Sequence, residues 1–228
     1  LEELWQGLVK AFELIINLDP EVMQIAGRSL ILASTSSIIA STMCVPLASV
    51  IHFNNFRGKR VLVNFIQTLY FIPTVAVGLF VFVFLSRAGP LGGLGLLFSP
   101  TAIVIGQVIL ISPIILGLTI SALSGIDRTL IDTARSLGAS GLQLTVLILK
   151  EARFAVMAAV IMGFGRAISE VGISLMIGGN IKGYTRVLTT AISLETSKGD
   201  IEFSLALGLI LILIALVLNI LMNRIQQR

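Results

Sequence analysis

Four stretches of this sequence run without a single charged side chain for longer than a bilayer is thick. They extend from Ser29 to Ile51, Val61 to Ser86, Ala88 to Ile126 and Phe203 to Asn223. About 20 consecutive apolar residues cross roughly 30 Å of hydrocarbon as a helix. The third stretch opens on Gly89-Pro90-Leu91-Gly92-Gly93-Leu94-Gly95, which reads as a loop, so its membrane part is Thr101 to Leu123. A fifth apolar segment lies between Arg153 and Lys182, interrupted by Arg166 and Glu170. Four residues apart on a helix, these two share a face and can pair inside the membrane. The expected fold is an all-α integral membrane protein of five transmembrane helices, one domain over residues 1–228.

Composition agrees, because hydrophobic residues make up 56% of the chain and charged residues 12%, about half the charge of a soluble domain. The net charge of +4 is not gathered into a basic stripe with interleaved aromatics, which excludes nucleic acid as a partner. Cys44 and His52 are the only residues of their kinds, so neither a disulfide framework nor a Cys/His metal cluster is expected. Ahead of the first span, Leu1, Leu4, Trp5, Leu8, Phe12, Ile15 and Ile16 recur at helical spacing opposite Glu2, Glu3, Gln6, Lys10, Glu13 and Asn17. Residues 1–18 therefore read as an amphipathic helix lying in the interface, too polar to cross. Asp19-Pro20-Glu21 has the form of an N-cap, a first-turn proline and a first-turn acid. The start of the chain lacks the basic region, short apolar core and cleavage site of a signal peptide.

With five spans, Arg57, Lys59, Arg60, Arg128, Arg135, Lys150, Arg153, Arg224 and Arg228 fall on one side of the membrane. Lys10, Arg28, Arg87, Lys182, Arg186 and Lys198 fall on the other, and Arg166 lies within it. The positive-inside rule puts the larger group in the cytoplasm, which leaves the N-terminus outside and the C-terminus inside.

The long connection from Ser124 to Arg153 carries Ile126, Leu130, Ala134 and Leu137 on one helical stripe, flanked by Asp127, Arg128, Asp132 and Arg135, and breaks at Gly138. Such a stripe stays uncovered unless a partner buries it. The segment resembles the signature of type I ABC importer permeases: Glu-Ala-Ala, three residues, Gly, nine residues, Ile-x-Leu-Pro. Asp132-Thr133-Ala134, Gly138 and Ile148 stand at that spacing, with Asp132 for the first Glu and Lys150-Glu151 for the closing Leu-Pro. The resemblance implies a cytoplasmic coupling helix within residues 124–141 that docks on an ATPase through Leu130, Asp132, Ala134, Leu137 and Gly138.

A second resemblance covers nearly the whole chain. Arg87-Ala88-Gly89-Pro90-Leu91-Gly92, Ser169-Glu170-Val171-Gly172, Gly178-Gly179-Asn180-Ile181, the run from Thr185 to Ile192 and the run from Glu195 to Asp200 are similar to the corresponding segments of tungstate permeases. Molybdate and sulfate permeases are relatives of that family and remain alternatives. Membership implies a homodimer on two cytoplasmic ABC ATPase subunits that carry ATP and Mg, fed by an extracytoplasmic oxyanion-binding protein. An ion-coupled secondary transporter is disfavoured, since five spans do not divide into two equal repeats. A membrane scaffold would have no need of Arg166 and Glu170.

Tungstate is a tetrahedral dianion that accepts hydrogen bonds and donates none, so its path requires hydroxyls, amides and sparing positive charge. Asn180, Thr185, Arg186, Thr189 and Thr190 supply these groups near the outer end of the fourth span, while Lys182 and Lys198 read as a solvated rim. Val187, Leu188, Ala191, Ile192 and Leu194 suggest a short helix tucked against the route. Arg166 neutralised by Glu170 is either a structural pair or a gate that guides an anion weakly. Gly163, Gly165 and Gly172 would admit a close helix neighbour. Ser34 to Ser37, Ser41 and Thr42 read as hydroxyls bonded to their own backbone. No Gly-Lys-Ser/Thr phosphate loop is present, so no ATPase site is expected on this chain, nor any hydrolase constellation. With so little sequence after Asn223, no C-terminal regulatory domain is expected.

Overall fold

In the computed structural model, which describes residues 2–226, the Asp19 carboxylate accepts hydrogen bonds from the Glu21 and Val22 amides, each at 3.0 Å, and Pro20 follows as the first helical residue. This is the expected cap, because the first amides of a helix have no intrahelical partner and proline has none to offer. It separates α1 (Glu2–Ile16) from the long α2 (Pro20–Phe53). There follow α3 (Lys59–Thr68), α4 (Thr74–Leu85), α5 (Pro100–Ser124), α6 (Arg128–Ser136), α7 (Gly141–Glu151), α8 (Arg153–Ile168), α9 (Gly172–Gly178), α10 (Leu188–Lys198) and α11 (Ile201–Gln226). No β-strand occurs among the described residues.

Three helices, α2, α5 and α11, are long and apolar enough to cross a membrane unbroken. The other two expected spans are bent pairs, and the straight-helix reading is corrected there. Between α3 and α4 the chain turns by 97°: Ile72 is extended before Pro73, as the clash with a following proline ring demands. α4 alone has 12 residues, about 18 Å of helix, short of the hydrocarbon thickness. Between α8 and α9 the bend is 57°.

α5 is the central element, packed by α2, α8, α9, α3 and α4, with Ile103, Ile111, Ile115 and Leu123 buried along it. A Cβ at Gly163 would lie 2.7 Å from the Ile115 side chain, so that glycine lets α8 seat closely on α5. Gly165 has no such neighbour, the nearest atom being 3.9 Å from its virtual Cβ. At the crossing of α2, α5 and α8, buried Gln107 lies 2.8 Å from the Ser36 hydroxyl and donates to the Ala167 carbonyl at 3.1 Å. The hydroxyls of Ser29, Thr35, Ser36, Ser37, Thr42 and Ser49 bond the carbonyl one turn back on α2, as expected for membrane helices.

α1 packs on α11 with Gly7 and Ala11 inward, while Trp5, Phe12 and Ile16 are exposed. The helix is as expected, but its packed face is shifted from the predicted stripe: the small residues Gly7 and Ala11 allow close approach, and of the stripe Ile15 packs inward, beside Leu14. Leu1 and Arg228 lie outside the described residues, as do the side chains of Glu2, Glu3, Leu4 and Gln6.

Candidate transport site and coupling surface

The bend between α8 and α9 is organised by Glu170. Its Oε2 accepts from Arg166 Nη1 at 2.8 Å, and its Oε1 accepts from the Ile173 amide at 3.1 Å. The carboxylate is therefore both the counter-ion of Arg166 and the side-chain cap of α9. Burial is unequal, since the Glu170 side chain is 2% exposed and that of Arg166 34%. Burying the acid without its partner would be costly, whereas the arginine still reaches the surface of the subunit. Thr189 binds to the same bend by donating its hydroxyl to the Glu170 carbonyl at 2.8 Å.

After α9 the chain closes on itself through residues 178–190. Gly179 and Asn180 adopt successive left-handed conformations, with φ of 71° and 51°, which glycine and asparagine tolerate best. The Thr185 hydroxyl donates to the Gly178 carbonyl and accepts from the Ile181 amide at 2.9 Å. Thr190 accepts from the Val187 amide at 3.1 Å, and Asn180 Nδ2 donates to the Thr190 carbonyl at 3.2 Å. Ser29 of α2 accepts from the Leu188 amide at 2.7 Å, satisfying one of the free donors at the start of α10. Thr185, Thr189 and Thr190 are all buried, and each hydroxyl is engaged with backbone within the subunit.

Arg186 is also buried, with Nη1 3.3 Å from Glu195 Oε1 and 3.8 Å from Glu21 Oε1. Lys198 reaches Glu195 at 3.0 Å, and Lys182 reaches Glu21 at 2.8 Å. Arg28 donates to the carbonyls of Arg186 and Gly183 at 3.1 and 2.8 Å. Lys182 and Lys198 are indeed exposed, but both are paired. The structure thus gathers Glu21, Arg28, Arg186 and Glu195 into one network at the α2 N-terminal end. Glu21, Arg28 and Glu195 carried no signal as site residues in the sequence, because their partners lie up to 161 positions away.

At the opposite end of α2 and α5, α6 and α7 form an outlying hairpin. Asp127 caps α6 by accepting from the Thr129 amide at 2.9 Å, and the hydrogen bonds from Thr129 hold its carboxyl below the usual aspartate range. Gly138 has φ of 81° and supplies the break before α7, whose own start is a capping box between Ser140 and Gln143. The expected stripe divides. Ile126 and Ala134, with Ile131, pack on a cluster of Leu123, Leu144, Ile148 and Ala152, and Leu130 is half-buried. Leu137 is 83% exposed at the tip, beside exposed Asp132 and Gly138. Ile148, the apolar member of the spaced signature, is fully buried at the joint of α7 with α5 and α8.

Residues 44–228 match the family described as binding-protein-dependent transport system inner membrane component. The chain is 39% identical to the tungstate uptake system permease protein of Peptoclostridium acidaminophilum, covering all of both sequences. It is 37% identical to the protein so described from Campylobacter jejuni, over 100% of this chain and 95% of the relative. Its fold is similar to a chain of a bacterial alginate ABC transporter, with a TM-score of 0.75 at 21% identity over 100% of this chain and 88% of that one.

Proposed function

Since the chain belongs to the family of binding-protein-dependent transport system inner membrane components, we propose that it is the membrane permease of an ATP-driven tungstate importer. The observation that carries this reading is likeness over the full length to two tungstate uptake permeases, at 39% and 37% identity. The working unit is a homodimer on two cytoplasmic ABC ATPase subunits, where ATP and Mg reside, and it receives the oxyanion from an extracytoplasmic binding protein.

Coupling runs through α6. Its tip offers Leu137, with Asp132 and Gly138 beside it, to the ATPase, and its inner face rests on the ends of α5, α7 and α8. A displacement of α6 by the ATPase is thereby delivered to the two helices that bracket Gln107 and the Arg166–Glu170 pair. The paired arginine acts as a gate along the route. The segment bearing Asn180, Thr185, Arg186, Thr189 and Thr190 is its outer shoulder, held rigid by its own hydrogen bonds. The N-terminus lies outside and the C-terminus in the cytoplasm.

The test is uptake by the complete importer reconstituted in vesicles. It should accumulate tungstate only with ATP and binding protein, in preference to sulfate and phosphate, with molybdate competing as the binding protein dictates. ATP-dependent uptake of a sugar or amino acid with no response to tungstate overturns the substrate but not the permease role. In a Cys44→Ala background, Gly141→Cys should react only from the cytoplasmic side. Reaction from outside overturns both the orientation and the coupling role.

A further inference from the structure

α11 is apolar through most of its length, yet Asn219 stands exposed on its surface, and its amide makes no hydrogen bond to the protein among the described residues. An unsatisfied amide facing hydrocarbon costs several kcal/mol, so this position requires water, a ligand or a polar group of the second copy. Asn219 lines a groove of about 350 Å³ between α8 and α11 together with Arg166 and Ser169. Only one guanidinium nitrogen of Arg166 is occupied, by Glu170. Its other two have no protein partner among the described residues. The polar residues lining the groove are thus Arg166 with two unpartnered guanidinium nitrogens, Asn219 with a free amide, and Ser169, whose hydroxyl donates to the Arg166 carbonyl at 3.2 Å and can only accept while that bond holds, while the rest of the lining is aliphatic or methionine and contains no carboxylate.

Such a set of donors suits a tetrahedral dianion, which only accepts. Glu170 behind the arginine cancels part of its charge, so the ion is held loosely enough to leave. Met162 and Met222 line this groove and also a second one of about 730 Å³, which reaches Gly125, Ile126 and Glu151 beside the start of α6 and the end of α7. We infer that Arg166, Ser169 and Asn219 form an intramembrane stopping point for the transported oxyanion, and that Met162 and Met222 divide it from the vestibule leading to the α6 side. The inference rests on the oxyanion-importer reading and adds to it the residues that meet the ion between the two faces.

The experiment uses the assembled permease and ATPase in vesicles, with Cys44→Ala as the parent. Asn219→Cys and, as a control on the same helix outside the groove, Ile220→Cys are treated with a charged, membrane-impermeant thiol reagent. Asn219→Cys should react about tenfold faster or more, and millimolar tungstate should slow it. Equal, slow reaction of both overturns the inference, as does an Asn219→Cys cross-link between two copies without reagent access. In uptake, Asn219→Asp should lose about tenfold or more, and Asn219→Gln should stay within about twofold. If the aspartate variant fails to capture the ATPase, Asn219→Leu, which removes the donors without adding charge, is read instead. Normal uptake by the aspartate or leucine variant overturns the inference while the importer stands. If the parent takes up no tungstate, the proposed substrate fails, and the labelling, repeated with sulfate as protecting dianion, decides the site separately.

Discussion

Arg166 and Glu170 are joined at 2.8 Å across one helical turn, but the acid is sealed in the protein and the arginine is open on one side. That inequality sets the response to substitution. Arg166→Ala leaves a buried, uncompensated carboxylate and should destabilise the permease by about 3 kcal/mol or more. Glu170→Ala leaves a cation that can hydrate, but it also removes the acceptor of the Ile173 amide, and it should cost less than Arg166→Ala. Arg166→Met combined with Glu170→Gln should recover most of the loss, because neither charge remains. Thermal unfolding of the four proteins in one detergent checks the order, and equal costs for both single changes would show that their unequal burial is irrelevant.

Gly138 is required for its backbone and not for space. No atom lies within 4 Å of a Cβ built there, but φ is 81°, a conformation that costs a non-glycine residue about 1–2 kcal/mol. Gly138→Val should therefore redirect Leu137 and weaken ATPase capture, while Gly138→Asn, which tolerates this conformation, should retain most of it. Co-purification of the ATPase with each variant checks this, and full capture by the valine variant would exclude the tip of the hairpin from the docking surface.

Asp127 makes the first turn of α6 sensitive to acid. Hydrogen bonds from Thr129 depress its pKa in the folded protein. The folded state binds its proton less readily than the unfolded state, so the contribution is present above the ordinary aspartate pKa and is lost as the pH falls through the folded value. Hydrogen exchange in residues 128–136, corrected for intrinsic rates, should show looser protection below pH about 4. Asp127→Asn, which still caps, should remove the pH dependence, and an unchanged profile would locate it elsewhere.

Thr190→Val should lower stability by about 1–3 kcal/mol, because it strips the buried Val187 amide of its acceptor. Thr189→Val breaks the link to the Glu170 carbonyl, but that carbonyl is a less demanding group than an orphaned N–H. The expected order is a larger fall in unfolding temperature for the change at 190, and the reverse order would contradict the hydrogen-bond assignment.

Uncharged length and local chemistry were enough to read the three unbroken membrane helices, the Asp19-Pro20 start, the break at Gly138 and the i, i+4 pairing of Arg166 with Glu170, since each depends on neighbours within a turn or two or on sheer apolar extent. Spacing from Asp132 through Gly138 to Ile148 was likewise legible, as were the backbone-bonded hydroxyls of α2. Only the tertiary structure decided which face of α1 meets α11, and that Ala134 packs inward while Leu137 stands free. It also decided that Glu195 meets Arg186 and that Asn219 shares a groove with Arg166. These depend on contacts between segments far apart in sequence. Hydrophobic periodicity records that a face will be covered, whereas the identity of its cover follows from which side chains are small enough to let two helices touch.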